Sequence, residues 1–333
     1  MRRSMVQPTA ASLALIGYVV VSGLRSTALK GLQLQGASHP IGGDNPISFC
    51  NVFLISQLMI GLALISVEPK KVRRQLTQLP ASAAPLIAAD AFLGCFLAPL
   101  AFYLALEQLS VITQTLVFSL TLPASALIAL WWLGERLPHR FNLSLLLILA
   151  GLLAGKVFGV MESSGPAGPM RMLDGLDGYL WAIVSVGATA LRNSLRRRLA
   201  GLELCRGLST GIPNLAGAVA FAIIALIRYG PGHFFYLRWW WVLGVIVVYG
   251  LTLCLGTEVL RQASQRHFQV SQIAFAGSAS LVVTVLSAAW LLSEPLSWPI
   301  LLSTGLILAG VLLRFLPSSL PPGDERKSLL LNP

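Results

Sequence analysis

Arg25 follows Ser22 by three residues and Tyr18 by seven, a spacing that places all three side chains on one face of a helix. Arg192 stands in the same relation to Thr189 and Ser185. Each stripe is a run of hydroxyls ending in a guanidinium, and a guanidinium takes a carboxylate or phosphate through two parallel hydrogen bonds. The chemistry this suits is recognition of an anion. The competing reading is snorkelling, in which the long stems carry both charges to a headgroup region near Lys30 and Arg196–Arg198. Gln114 and Gln272 each stand two residues after a β-branched residue in two similar stretches, and could face the same ligand or bridge helices. Among the acids, Glu107 is expected to share one half of the membrane with Arg25, and Glu258 the other half with Arg192, as ion pairs broken in alternation. A local pair of Glu258 with Arg261, three residues on, is the alternative, and Glu107 and Asp90 could equally sit at helix interfaces. Glu135 and Glu294 read as structural carboxylates that take backbone amide protons at the start of the next helix.

Other chemistries lack their residues. The four cysteines (Cys50, Cys95, Cys205, Cys254) lie in or beside apolar runs without paired spacing, as small buried hydrophobes do. The four histidines (His39, His139, His233, His267) show no metal-ligand spacing, and no Gly-rich phosphate loop or nucleophile elbow is present. No cofactor and no metal are therefore expected. An integral-membrane enzyme, such as a lipid transferase, would need a convergent acid/base or metal cluster that the sequence does not offer.

These stripes need elements to carry them. Of 333 residues, 55% are hydrophobic and 11% charged, well under the roughly 25% charged residues of a soluble domain. Apolar runs of about 20 residues, the length that crosses a hydrocarbon core of about 30 Å, recur at 12–32, 47–67, 85–106, 111–133, 142–160, 178–199, 207–227, 239–260, 269–292 and 299–316. Each must be a helix, because lipid offers no partner to an unpaired backbone group. The first run follows Arg2 and Arg3 but is too long, and too charged at Arg25 and Lys30, for a signal peptide. Prolines 123 and 213 lie inside runs and are expected to kink them. Gly151, Gly155 and Gly159 follow a spacing that permits close helix contact, and Trp239–Trp241 reads as an interfacial belt.

The formal charge of +11 invites a nucleic-acid reading, which its distribution opposes. On alternate sides of the ten runs, seventeen Lys and Arg fall on one side and five on the other, with Arg25 and Arg192 inside runs. That is the asymmetry of cytoplasmic loops, and it predicts both termini in the cytoplasm of a cell inner-membrane protein.

The chain also repeats. Residues 112–155 and 270–313 share a Gln, a hydroxyl-rich apolar helix, a Trp-containing end, a Glu two residues before a Leu, and a closing Ile-Leu-Ala-Gly. Gly23-Leu24-Arg25-Ser26-Thr27 matches Ala190-Leu191-Arg192-Asn193-Ser194. The expected fold is an all-α membrane protein of ten transmembrane helices, built as two five-helix repeats at 12–160 and 178–316. A connecting loop at 161–177 and a tail at 317–333 complete it. Five is odd, so the second repeat is inverted, an architecture of transporters that open a shared site alternately to each side.

The segments Ala105-Leu106-Glu107-Gln108-Leu109-Ser110, Thr121-Leu122-Pro123, Gly134-Glu135-Arg136-Leu137 and Leu149-Ala150-Gly151, with Ser293-Glu294-Pro295-Leu296 and Leu308-Ala309-Gly310 in the second copy, resemble the repeat of the drug/metabolite transporter superfamily, EamA-type. The second copy departs from it with Ser-Glu-Pro in place of Gly-Glu-Arg, and the first outer loop, 33–46, is long. The resemblance implies a secondary carrier, moving metabolites, amino acids or drugs. The intramembrane arginines favour an anionic or zwitterionic small-molecule substrate such as an amino acid or organic acid, with Arg25, Arg192, Tyr18, Ser22, Ser185, Thr189, Gln114 and Gln272 binding it. The alternative is an exporter of drugs or cations. The partners are then the lipid bilayer and the substrate, with a coupling proton or sodium ion and a homodimer left open.

Overall fold

The computed structural model describes residues 8–135, 137, 140–162, 176–265, 267–268 and 270–313. The connecting segment from 163 and the tail lie outside them. Ten long helical stretches occupy the positions of the ten apolar runs: α1 Pro8–Ser38, α2 Phe49–Val67, α3 Ala84–Gln108, α4 Val111–Leu133, α5 Phe141–Glu162, α6 Leu176–Ala200, α7 Gly207–Tyr229, α8 Trp240–Ser264, α9 Val270–Leu291 and α10 Trp298–Leu313. Six of them (α1, α2, α3, α4, α7, α8) are long and apolar enough to cross a membrane. In α5, α9 and α10 the apolar part is shorter, and α6 carries four arginines. A short helix, Pro69–Thr77, follows α2.

Local chemistry sets the ends. Ser48 and Ser110 cap α2 and α4, each hydroxyl accepting from the amide three residues on. Gly134 closes α4 in the left-handed conformation (φ 66°). Wide π-helical turns at Phe92–Leu97 and Gly207–Gly211 precede Pro99 and Pro213, absorbing the clash and lost hydrogen bond that proline brings. The carbonyl that Pro99 frees, on Cys95, accepts from Gln57 Nε2 at 2.5 Å. One expectation needs correction: α1 runs on to Ser38, so the loop expected at 33–46 is shorter. Gln33 Nε2 donates to the Tyr103 carbonyl at 2.9 Å and Lys30 Nζ to the Leu106 carbonyl, which holds the extra turns against α3.

Packing follows a paired pattern. Helix α1 lies against α8 and α9, α6 lies against α3 and α4, α2 meets α7, and α5 meets α10. The α5–α10 contact is reciprocal: Ser144 Oγ donates to the Gly310 carbonyl at 2.6 Å, and Ser303 Oγ to the Gly151 carbonyl at 2.5 Å. A Cβ on Gly310 would come 2.9 Å from the Ser144 carbonyl oxygen, and one on Gly151 2.9 Å from that of Ser303. Gly310→Leu should therefore push the helices apart and lower stability in detergent by about 1–3 kcal/mol. Gly305→Leu, where an added Cβ meets nothing within 4 Å, should leave the unfolding midpoint unchanged. Equal midpoints for the two variants would refute the close contact.

At the end of the molecule where α1 finishes, Phe49, Phe53, Phe96, Tyr103 and Phe221 form an aromatic cluster. His233, in the connection between α7 and α8, shares a 2.7 Å hydrogen bond with Ser48 Oγ and stacks on Tyr229. Burial pushes its imidazolium pKa down, opposed by Asp44.

Candidate functional site

A cavity of about 700 Å³ opens between α1, α2, α3, α4, α6, α8, α9 and α10. It reaches from Leu29, Phe53 and Phe102 to Arg261 and Gln265, the latter near the end of the molecule where α1 begins and α8 finishes. Both hydroxyl stripes face it. Tyr18, Ser22 and Arg25 come from α1, and Ser185, Thr189 and Arg192 from α6. Arg25 lies mid-helix yet is exposed, because its side chain meets the cavity. Gln114 is fully buried away from the cavity, with neither amide atom hydrogen-bonded, and Gln272 is exposed outside it.

The ion pairs differ from the expected set. Arg192 does not meet Glu258. Its Nε lies 3.1 Å from Asp90 Oδ1, on α3, and Arg196 Nε lies 3.0 Å from the same oxygen. Asp90 is 1% exposed, so its charge is held between two guanidiniums inside the protein. Helix α6 can approach α3 this closely because residue 94 is glycine: a Cβ there would occupy the space of the Arg192 guanidinium. Glu258 takes the local alternative, bonded by Arg261 at 2.7 and 3.1 Å and by Gln262 at 2.7 Å. Glu107 is exposed and not paired with Arg25. Glu135 pairs with Arg197. Glu294 does cap a helix, but not the next one: its two oxygens accept from the amides of Val111 and Ile112 at 2.7 and 3.0 Å, at the start of α4.

Three arginines (Arg25, Arg192, Arg261) line the cavity, and no carboxylate lines it among the described residues. Arg192 and Arg261 have their counter-ions; among the described residues no carboxylate pairs with Arg25. Its immediate neighbours are Tyr249 and Cys254. Ser185 Oγ and Thr121 Oγ1, both buried at the cavity wall, have no hydrogen-bond partner among the described residues, and the Tyr249 hydroxyl lies against Arg25. The arrangement presents one uncompensated cation and open hydroxyls to a ligand. Asp90 was among the acidic candidates but its pairing with Arg192 was not expected, and Tyr249 and Thr121 escaped the sequence-based reading of the site. Their spacing carries no signal, since each acts through a helix distant in the chain.

No family model matches the chain. A Synechocystis sp. protein named as an uncharacterized transporter is 26% identical over 326 residues, covering 95% of this chain and 90% of the relative. A solved structure, titled only as a crystal structure of a protein, aligns over 92% of this chain and 96% of its own at 16% identity, with a TM-score of 0.49.

Proposed function

We propose that this chain is a secondary transporter of the EamA type, with ten membrane-spanning helices in two inverted repeats, that carries small anionic or zwitterionic metabolites by alternating access. The observation that carries the substrate class is Arg25: a guanidinium mid-span, facing a cavity, with no carboxylate partner among the described residues. An arginine at the middle of a bilayer costs about 2.5–3.5 kcal/mol on insertion scales, which a wet cavity and an anionic ligand offset. Among the described residues, a cationic substrate would meet three lining arginines and no lining carboxylate. The transporter class is supported by the named relative.

The inverted repeat is supported by the reciprocal Ser144–Gly310 and Ser303–Gly151 bonds, because equivalent residues exchange identical contacts across a two-fold axis. Matched neighbours add to this, with α1 on α8 and α9, and α6 on α3 and α4. Trp131 and Trp290, each near the end of its span, are 89% and 83% exposed, as interfacial anchors are. In the cycle, the cavity is read as open toward the cytoplasm, where α1 begins. The far end is closed by the Thr27–Ser287 hydroxyl contact at 2.7 Å, the Lys30–Leu106 bond and the Glu294 cap. The Arg197–Glu135 pair is the corresponding contact at the other end. Rocking breaks one set as the other forms.

Orientation is tested with single cysteines on a Cys-free background. Position 43 should react with an impermeant thiol reagent added outside intact cells, and exposed position 73 should not. Labelling of position 73 alone would reverse the topology. The function itself is tested by efflux and counterflow in proteoliposomes with panels of organic anions, amino acids and organic cations. Transport restricted to cations would refute the reading.

A further inference from the structure

The two halves place their arginines in similar surroundings, but the carboxylate that meets Arg192 has no counterpart beside Arg25 among the described residues. Arg192 reaches onto the π-helical turn of α3, where Nη2 lies 3.9 Å from Cys95 Sγ and Nε meets Asp90, five residues before that cysteine. Arg25 reaches onto the π-helical turn Tyr249–Leu255 of α8, beside Cys254 and Tyr249, which again precedes its cysteine by five residues. Each turn widens the helix where the other half's guanidinium arrives. The position that carries a carboxylate in the first half thus carries a phenol in the second.

We propose that this difference makes the Arg25–Tyr249 pair the one subsite for the substrate's carboxylate. The inference rests on the anion-carrier reading above and deepens it. Arg192 already holds an acid belonging to the protein, so an incoming carboxylate would compete with Asp90 there. Arg25 has no such competitor, and Tyr249 supplies a donor in place of an acceptor. Tyr249 is 3% exposed, lines the cavity, and its hydroxyl lies against the Arg25 guanidinium. A phenol and a guanidinium side by side can both donate to one incoming carboxylate. Beyond this pair the wall becomes apolar at Leu29, Phe53 and Phe102, so the ligand's remaining part on that side is hydrocarbon. The substrate class is a monocarboxylate with an apolar group.

The experiment measures binding of radiolabelled benzoate, with benzamide as the neutral control, to the full chain purified in detergent. Wild-type protein should bind benzoate and not benzamide. Tyr249→Phe should weaken benzoate binding about tenfold, the loss of one hydrogen bond to a charged group. Tyr249→Asp should abolish it, by giving Arg25 the internal partner that Arg192 has. Gel filtration confirms folding, and Tyr249→Phe, which removes one oxygen, keeps the test decisive if the aspartate variant misfolds. Benzoate binding at wild-type strength in Tyr249→Phe overturns the subsite and leaves the anion-carrier reading intact. Wild-type protein that binds both probes alike, or neither, overturns the subsite, and the anion-carrier reading then stands or falls on the transport panel.

Discussion

Arg25→Leu is expected to abolish carboxylate transport while the protein still folds in the membrane. Two charge-assisted hydrogen bonds are lost, so the effect should reach about 100-fold or more. Leucine is also cheaper than arginine to insert mid-span, so yield and gel-filtration profile should not suffer. Arg25→Lys should transport poorly as well, because an ammonium keeps the charge but not the planar fork. Snorkelling predicts the reverse order, with Lys tolerated and Leu only mildly altered. The structure favours the first outcome, because the Arg25 side chain lines the cavity beside Tyr249 and Cys254. Near-normal uptake by a folded Arg25→Leu protein in reconstituted vesicles would remove this residue from the site.

Asp90→Leu should be the most damaging single change to stability. Asp90 is the shared counter-ion of Arg192 and Arg196, and removing one partner of a buried pair leaves uncompensated charge, at a cost of about 3–5 kcal/mol. The two guanidiniums are 21% and 32% exposed, which puts the loss near the lower end, about 3 kcal/mol. Adding Arg192→Leu to Asp90→Leu should recover part of it, since one of the two stranded charges is then gone. The comparison is made by denaturant unfolding of the three proteins in one detergent. An Asp90→Leu midpoint equal to wild type would mean that Asp90 does not hold α3 to α6.

The sequence by itself determined the helices and the faces they present. A run of about 20 apolar residues has one low-energy backbone in lipid, so the six helices long and apolar enough to cross a membrane were legible from hydropathy. The stripes Tyr18–Ser22–Arg25 and Ser185–Thr189–Arg192 were equally legible, because the helical period is local and puts such residues on one face. The extension of α1 to Ser38 was not, since Gln33 and Lys30 are held by carbonyls of α3 some 70 residues away. Only the tertiary structure decided which charges meet. Arg192 took Asp90, 102 residues distant in sequence, through a gap that Gly94 leaves, and Glu258 fell back on its neighbour Arg261. Periodicity says which way a side chain points from its own helix and nothing about which helix stands opposite. Two arginines that look equivalent along the chain therefore became unlike in space: one neutralised by a buried acid, the other facing the cavity beside a phenol.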